Sequence, residues 1–353
     1  MDDKTLESRL NGVDLFGEPL ERKKSGKVME QFYFPPFSVL NARSGEWQER
    51  KRAWLSLGIK SEMGRDATTS GSKMICGYTE DGKRKTGLIT ESDTSIFDPT
   101  LTELMYRWFC PEVGQIVDPF AGVSVRGIVA SMLNRKYWGC DLRQEQIDAN
   151  KQQADDILGD TVEVKANDAA KGTKSEPGTR PVWVCGDSIE TLEYAPEADF
   201  VFSCPPYGSL EKYSDDPADI SNMEWHTFKA AYGRIILKAL KRLKNNRFAC
   251  FVVGDFRDSR GYYRDFVSTT IQLFKDCGLE LYNEAILVTS VGSASMRVSK
   301  QFNSGRKFAK THQNVLVFCK GDWRKATKAC NKEDEKVYRA IGNGGVQEIK
   351  VDE

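Results

Sequence analysis

The chain has 353 residues, of which 40% are hydrophobic and 29% are charged, so it is long enough for one elaborated domain or two, and global disorder is excluded. The 51 Lys and Arg residues balance the 51 Asp and Glu residues, which excludes a protein that coats nucleic acid through its overall charge but still allows a local basic groove. The nine cysteines form no CxxC pair and there are only two histidines, so we expect neither a metal cluster nor a disulfide framework.

Short β-branched runs alternate with longer amphipathic runs through the middle of the chain. Strands are predicted at 114–120, 137–142, 182–187, 198–206, 248–256, 279–290 and 313–321. Helices are predicted at 123–135, 143–158, 222–244 and 263–278. This alternation predicts an α/β fold with a mostly parallel sheet and helices on both faces. No helix is predicted between the last two strands, so the sheet is expected to end in an antiparallel edge strand.

The composition divides the chain into three regions. Residues 1–94 are polar and rich in Gly, Ser, Lys and Arg, and are interpreted as an N-terminal extension. Residues 95–323 carry the strand and helix pattern and are expected to form the main domain, with a surface insertion at 159–181. Residues 324–353 are charged, have little to bury and are interpreted as a polar C-terminal tail.

Two further patterns bear on location. The first ten residues are not typical of a signal peptide, and the sequence has no uninterrupted apolar run of membrane-spanning length. We therefore expect a soluble, reduced, cytoplasmic protein that does not enter a membrane.

Distinctive residues stand at the ends of four predicted strands, where a doubly wound sheet binds its ligand. The first strand ends in DPFAG (118–122), in which Gly122 permits a tight turn and Asp118 supplies a carboxylate. Asp141 ends the second strand and is placed to bind the hydroxyls of a ribose. Asp187 ends the third and is placed to accept from an adenine amino group. SCPPY (203–207) ends the fourth.

Each of these features has a simpler interpretation. A lone Asp at a strand end is more often a helix N-cap, and a lone Pro-Pro-Tyr is usually a rigid loop. The combination, in register with successive strands, favours a ligand site. The sequence has neither GxGxxG nor a GKS or GKT ending at this position, so a nucleoside triphosphate is not the first candidate.

Together these motifs resemble those of the S-adenosylmethionine-dependent DNA amino-methyltransferases, which methylate the exocyclic nitrogen of adenine or cytosine. DPFAG resembles the cofactor motif of that family, and CPPY (204–207) resembles its catalytic (D/N/S)PP(Y/F/W) motif. FDPTLTELMYRWF (97–109) resembles its additional cofactor motif. The wider pattern, with FPPFSVL (34–40) and RKFAKTHQNVLVF (306–318), resembles DNA methylases of bacteriophages and prophages.

The resemblance implies a Rossmann-like class I methyltransferase sheet, S-adenosylmethionine as cofactor, double-stranded DNA as partner and no metal. It implies that the cofactor is held by residues of four segments: Phe97, Asp98, Pro99, Asp118, Pro119, Phe120, Ala121, Gly122, Asp141, Leu142, Asp187 and Ser188. It implies a catalytic loop made of Ser203, Cys204, Pro205, Pro206 and Tyr207. The main domain, 95–323, is then the catalytic domain.

The catalytic loop suits an exocyclic amine, whose lone pair is delocalised into the ring. The rigid Pro205–Pro206 pair would orient a backbone carbonyl as one hydrogen-bond acceptor, and the side chain before Pro205 would be a second. Tyr207 would stack on a base flipped out of the duplex.

Cys204 departs from the family pattern, which has Asp, Asn or Ser before Pro-Pro. A thiol is a weak acceptor and resembles Ser more than Asp in shape, which favours N4 of cytosine over N6 of adenine. Ser203 could instead rotate in and assist. A cytosine-C5 mechanism with Cys204 as nucleophile is a further alternative, but in those enzymes the Cys follows Pro, and no separate Glu-containing partner motif is evident here.

The segment after Tyr207 has two interpretations. Residues 208–221 could form a mobile loop over the base pocket, with Glu211 and Tyr213 as pocket residues. They could equally be a polar connection in which Asp219 or Ser221 begins the next helix.

Two basic segments are candidates for DNA contact. The segment 291–310 contains Lys and Arg but no acidic residue, and its Gly and Ser predict a flexible DNA-binding loop with Arg297, Lys300, Arg306, Lys307 and Lys310. The second run is Arg50, Lys51 and Arg52, flanked by Trp47 and Trp54. It either contacts DNA or is a solvated helix face whose tryptophans pack inward. The N-terminal extension is the expected target-recognition region.

Three alternatives remain open at this point. Related PPY motifs also serve the methylation of RNA and of protein glutamine. A catalytically silent cofactor-binding module is the third, supported by Cys204 and opposed by the presence of the other motif residues. No nuclease motif is evident, so a restriction endonuclease that works with this protein would be a separate chain. The sequence predicts no oligomeric state.

Overall fold

The computed structural model describes residues 6, 9–10, 27–60, 73–78, 84–89, 97–159, 180–210, 213–292, 294–331, 337–341 and 345–349. Glu211 and nearly all of the expected insertion at 159–181 lie outside these ranges.

Within the described ranges, helices α1 to α10 are, in chain order, Lys27–Phe32, Gly45–Leu55, Pro99–Phe109, Val125–Met132, Gln144–Leu158, Ser188–Thr191, Trp225–Arg242, Phe266–Asp276, Ala294–Gly305 and Trp323–Cys330. Strands β1 to β12 are Val39–Asn41, Lys73–Tyr78, Arg84–Ile89, Gln115–Asp118, Lys136–Asp141, Val182–Cys185, Ala198–Ser203, Leu243–Val253, Glu280–Val288, His312–Lys320, Val337–Ile341 and Gly345–Ile349.

Eight strands form the main sheet in the order β1-β9-β10-β8-β7-β4-β5-β6. β4 to β8 pair in parallel, and β10 is antiparallel to both of its neighbours, β8 and β9. The prediction of a mostly parallel sheet with one antiparallel strand is therefore confirmed. That strand was expected at the edge, but the short β1 pairs in parallel with β9, so β10 lies inside the sheet.

Helices cover both faces of the sheet, as predicted. Along β8, Phe248, Cys250 and Val252 belong to one core, and the alternate residues Ala249, Phe251 and Val253 belong to the other. The first core is covered by α2, α3, α4, α5 and α10, and the second by α7 and α8. Strands buried on both faces are apolar throughout, which explains why the central strands were the clearest signals in the sequence.

Part of the N-terminal extension belongs to this same structure. β1 adds to the main sheet, and α2 packs on α3 through the buried side chains of Trp47 and Trp54. Arg50 is 2% exposed and donates two hydrogen bonds to the carboxylate of Glu103, at 2.8 and 2.6 Å. Residues 39–55 therefore form one unit with the sheet of the region 95–323.

Two smaller features complete the described chain. β2 pairs with β3, and β11 pairs with β12, each as a separate antiparallel hairpin. The region expected to be a polar tail begins with α10, which packs against the sheet through the buried Ala326. None of the helices in the described part of the chain combines the length and apolar composition that a membrane span requires.

Candidate functional site

A cavity of about 350 Å³ lies at the carboxyl ends of the parallel strands. Its wall is built by all four segments expected to bind a cofactor and by the Pro-Pro-Tyr loop. The predicted residues on the wall are Phe97, Asp98, Pro119, Phe120, Gly122, Asp141, Leu142, Asp187, Ser188, Cys204, Pro205, Pro206 and Tyr207. This is the edge of the sheet at which a doubly wound fold binds ligands.

Asp118, Ser203, Pro99 and Ala121 are buried and do not line the cavity. Asp118 accepts hydrogen bonds from Arg126 Nε at 2.6 Å, from the Tyr137 hydroxyl at 2.8 Å and from Ser203 Oγ at 2.6 Å. The expectation that Asp118 presents its carboxylate to the ligand is therefore wrong, because the chain itself uses that carboxylate. Ser203 is likewise held by Asp118 and turned away from the cavity.

Arg126 holds the loop after β4 and was missed by the sequence analysis. Its guanidinium binds Asp118 and also donates to the carbonyl oxygens of Phe120 and Ala121. It lies 4.6 Å from the centroid of the Phe97 ring and lines the cavity. Burial alone would lower the pKa of Arg126, but Asp118 raises it above its ordinary value, so the cation is secure. An Arg within an apolar helix pattern was the available signal.

Gly122 and Asp141 join the ends of two neighbouring strands. Gly122 has a φ of +50°, and its N–H donates to Asp141 Oδ2 at 3.1 Å. Asp141 Oδ1 accepts from the Arg143 N–H at 3.0 Å. Burial raises the pKa of Asp141. Both carboxylate oxygens are thus oriented by backbone groups, and they retain acceptor capacity on the cavity wall.

Asp187 caps a helix, which is the simpler of the two roles that the sequence left open. It is the N-cap of α6, where its Oδ1 accepts from the Ile189 N–H at 2.8 Å. The next residue, Ser188, donates to the Pro119 carbonyl at 2.6 Å and so ties β6 to the loop after β4. Both residues also form part of the cavity wall.

The segment that begins at Phe97 connects the cavity to the N-terminal helix α2. Asp98 N-caps α3 by accepting from the Thr100 and Leu101 N–H groups. It also accepts from Trp47 Nε1 at 3.2 Å and pairs with Lys51 at 3.4 Å. Three residues of α2 and of its connection to β1 line the cavity: Ala42, Gln48 and Lys51.

The Pro-Pro-Tyr loop presents a fixed aromatic ring to the cavity. Gln313 Nε2 donates to the Tyr207 hydroxyl at 2.6 Å, and Cys204 Sγ lies 3.7 Å from the same oxygen. The Tyr207 ring packs edge-on against Phe266, with the centroids 6.0 Å apart. Burial raises the pKa of Tyr207 well above its ordinary value, so the phenol stays neutral. Cys204 is half-buried and faces the cavity.

Gln313 was also missed, because it belongs to the antiparallel strand. In a parallel strand the second residue would lie at the opposite edge of the sheet. The reversed direction of β10 brings its amino end to the edge formed by the carboxyl ends of the parallel strands, where Gln313 reaches both the cavity and Tyr207.

The segment after Tyr207 forms one side of the cavity. Asp219 is buried, accepts from the Ser214 N–H at 2.8 Å, and N-caps a short 3₁₀ turn at Ile220–Asn222. Tyr213 lines the cavity, as expected for a pocket residue. The following helix, α7, begins at Trp225, so neither Asp219 nor Ser221 starts it.

The basic run 50–52 does not present three cations to a ligand. The expectation that Arg50 contacts DNA does not hold, because its guanidinium is buried in an ion pair with Glu103. Burial would raise the pKa of Glu103, but Arg50 and Arg107 lower it to about 2. Lys51 faces the cavity beside Asp98, and only Arg52 is exposed. The tryptophans pack inward, as in the simpler interpretation.

The segment 291–310 contains helix α9 where the sequence predicted a flexible loop. Its Gly and Ser residues lie mainly near the ends, and the interior, MRVSKQF, has no helix breaker. Arg297, Lys300 and Arg306 are exposed, whereas Lys307 and Lys310 are half-buried. None of these five side chains lines the cavity.

Among the residues described, no group of three or more His, Cys, Asp or Glu side chains is arranged to hold a metal ion.

No protein-family profile and no curated protein matches the sequence. Several solved structures are similar at low identity. TrmN from Thermus thermophilus is 14% identical, with a TM-score of 0.38, over 64% of this chain and 50% of that one. Magnesium protoporphyrin IX methyltransferase (ChlM) from Synechocystis PCC 6803 with bound SAM is 12% identical, with a TM-score of 0.36, over 60% of this chain and 71% of that one. A proposed DNA modification methylase, also from Thermus thermophilus, is 18% identical, with a TM-score of 0.29, over 38% of this chain and 51% of that one.

The match thus spans about half the length of each of the two Thermus proteins. At these TM-scores the likeness adds no argument about function. The fold is established by the sheet itself, whose doubly wound order and two helical layers are Rossmann-like, as predicted.

Proposed function

We propose that this protein is an S-adenosylmethionine-dependent DNA methyltransferase that modifies the exocyclic amine of a flipped-out base, with N4 of cytosine favoured over N6 of adenine. One observation carries the proposal. A single cavity is lined both by the segments that resemble the cofactor motifs and by the Pro-Pro-Tyr loop that resembles the catalytic motif. A methyl donor and its acceptor must share one enclosed space for the transfer to occur.

The cavity wall suits the proposed cofactor. Phe97 and Phe120 offer apolar rings to an adenosine, and Asp141 and Asp187 offer acceptors for its hydroxyl and amino hydrogens. When bound, S-adenosylmethionine supplies an electrophilic methyl group. We assign cofactor binding to the half of the cavity bounded by Phe97, Gly122 and Asp141.

The other half of the cavity suits a base. The Tyr207 ring is held by Gln313 and Phe266, so a base can stack on it without the ring having to be ordered first. The Pro205–Pro206 backbone is rigid and gives a carbonyl acceptor a fixed direction. An acceptor that binds an amine hydrogen increases the electron density on the nitrogen. The nitrogen would form its bond to the methyl carbon as the carbon–sulfur bond breaks, S-adenosylhomocysteine would leave, and the amine would lose one proton to solvent.

The preference for cytosine depends on the residue before Pro-Pro. Because Ser203 Oγ is bound to Asp118, the side chain that faces the cavity at this point is the Cys204 thiol. Cys is closer in shape to Ser than to Asp, and the resemblance associates Ser with N4-cytosine enzymes.

The test is direct. Purified protein is incubated with methyl-labelled S-adenosylmethionine and mixed-sequence duplex DNA, and the nucleosides are identified by mass spectrometry. N4-methylcytosine is the expected product, and N6-methyladenine would support the class but not the base. 5-Methylcytosine would replace the mechanism with nucleophilic attack by Cys204. Label in RNA or protein instead of DNA, or cofactor binding without transfer to any of them, would contradict the proposal.

A further inference from the structure

An exposed aromatic pair lies beside the catalytic edge and takes no part in the core. Phe302 on α9 and Phe308 just after it stack with their ring centroids 5.9 Å apart and 27° between the planes. Phe308 is 77% exposed and Phe302 is 37% exposed. No residue of α9 is buried. Two stacked phenylalanines left in water are unfavourable for the free protein, which points to a surface that is covered when a partner binds.

The pair lies close to the base half of the cavity. Residues 289–311 connect the carboxyl end of β9 to the amino end of β10, and both ends are at the catalytic edge. Gly254 shows that this connection lies beside Tyr207. A Cβ added at Gly254 would be 3.7 Å both from Lys310 Nζ and from the Tyr207 ring. Phe308 is only two residues from Lys310, so its backbone lies close to this contact.

The surroundings of the pair are cationic. Residues 291–310 include five Lys and Arg residues and no Asp or Glu. The Arg306 guanidinium lies 5.2 Å from the centroid of the Phe302 ring. A polyanion is therefore favoured over a neutral or apolar protein partner. DNA is the polyanion whose bases also offer flat π faces to an aromatic ring wherever the base stack is opened, as it is beside a flipped-out base.

A neighbouring hairpin repeats the same combination of ring and cation. Arg257 bridges to Tyr263 and stacks over its ring at 4.0 Å, and Tyr262 is 69% exposed. A Cβ at Gly261 would collide with the Lys307 side chain, so this hairpin and the segment after α9 are in contact. The hairpin also carries Asp258, which pairs with Arg260 at 3.2 Å.

We infer that Phe308, supported by Phe302, acts as a wedge. Its ring enters the base stack of the duplex and fills the position that the flipped-out target base leaves. Arg306 and Lys307 bind the phosphates on either side. This inference rests on the proposed function, because a wedge is needed only where a base must leave a paired duplex.

The experiment compares paired and unpaired DNA. Initial rates of methyl transfer are measured for wild type and F308A on a mixed-sequence duplex and on its separated single strands. We expect transfer to the duplex to fall by about tenfold or more and transfer to the single strands to change by less than about twofold. F308W should restore most of the duplex rate, because it keeps a stacking ring. Y194A is the matched control: Tyr194 is 57% exposed but precedes β7 at the opposite edge of the sheet, and its loss should leave both rates unchanged.

Equal losses of F308A on duplex and single strands would overturn the wedge, and so would no loss on either. Duplex affinity is measured in parallel by fluorescence anisotropy of a labelled mixed-sequence duplex. If wild type binds this duplex and F308A binds it several-fold more weakly, Phe308 is supported as a contact to duplex DNA. That result would hold even if no methyl group reached DNA and the proposed function failed. If F308A and wild type bind the duplex equally, the wedge is rejected whatever the transfer assay shows.

Discussion

Tyr207 owes its position to side chains from three parts of the sequence. Gln313 holds its hydroxyl, Cys204 lies against the same oxygen, and Phe266 supports the ring. The residue that would touch the base is thus fixed before the base arrives, which reduces the entropy lost on binding.

Removal of the Tyr207 ring should impair catalysis and leave cofactor binding intact. For Y207A we expect kcat/KM on DNA to fall by about 10- to 100-fold, because one base–aromatic stack is lost. Y207F keeps the ring and loses only the Gln313 hydrogen bond, so its loss should be about tenfold or less. Steady-state methylation and calorimetric titration with S-adenosylhomocysteine measure the two effects. A weaker cofactor affinity in Y207A would contradict the division of the cavity.

Asp141 should show the reverse behaviour. Asp141 orients the loop at Gly122 and faces the cofactor half, so D141A should weaken binding of S-adenosylhomocysteine by about tenfold or more. D141N keeps one acceptor oxygen and should weaken it less. Both variants are measured by calorimetry, with Y207A as the variant whose affinity should stay at the wild-type value. An unchanged affinity for D141A would show that the cofactor lies elsewhere.

At the scale of secondary-structure elements, the contact of α2 with α3 is electrostatic as well as apolar. Glu103 of α3 is buried and accepts from Arg50, from Trp54 Nε1 at 2.8 Å and from Arg107 at 3.0 Å. A buried carboxylate without these donors would be strongly unfavourable. The donors on α2 therefore stabilise the packing of α2 on α3 by compensating the buried charge of Glu103.

This contact predicts a loss of stability in acid. The pKa of Glu103 falls from 4.5 to about 2 on folding, so its contribution is fully present above about pH 4.5 and is lost as the pH falls toward 2. The shift corresponds to about 3 kcal/mol. Chemical denaturation of wild type and E103Q at pH 7 and pH 3 should show a smaller loss for E103Q over that interval. R52A, which changes an exposed cation on the same helix, should behave like wild type, and identical pH dependences of wild type and E103Q would exclude the linkage.

The elements that the sequence did not predict share a physical cause. β1 has three residues and becomes a strand only because the edge of β9 is available to it. Arg50 reads as one cation in a basic run until Glu103, 53 positions later, is brought against it. Gln313 gained its role from the reversed direction of β10. In contrast, the strands and helices of the central region were predictable because their period and burial are local properties of the chain.

The site was predictable to the extent that its motifs lie directly at strand ends. Cys204 to Tyr207, Asp141 and Asp187 were found in this way and do line the cavity. Asp118 was assigned to the ligand because its partners, Arg126, Tyr137 and Ser203, meet it only in the folded chain. A carboxylate at a strand end looks the same in sequence whether it faces a ligand or the protein.

At the scale of the whole molecule, a net charge of zero means that the proposed attraction to DNA must come from a local surface. The exposed cations of 291–310 provide such a surface on one edge of the sheet. The rest of the surface offers no matching excess of positive charge. DNA that approaches any other face of the protein would therefore be attracted less strongly.

Salt dependence should reveal this surface. For the double variant R306A/K307A, the slope of log Kobs against log salt concentration should become less negative by about 2, since each phosphate contact contributes about 0.9. Affinity for a mixed-sequence duplex is measured by anisotropy between low and physiological salt. K241A is the control and should keep the wild-type slope, because Lys241 is exposed near the C-terminal end of α7, at the opposite edge of the sheet. A double variant with an unchanged slope would place the phosphate contacts outside this segment.

The joining of β1 and α2 to the sheet has a consequence for how specificity could change over time. Ala42, Gln48 and Lys51 supply part of the wall of the cavity, and Trp47 binds the Asp98 carboxylate at its rim. Recombination could therefore not exchange residues 39–55 as a separate unit without damage to the proposed methyl-donor site. A lineage that acquires a new DNA target sequence would have to do so by gradual substitution on the surface segments 257–263 and 294–310, where no side chain is fully buried and the core constrains substitution least.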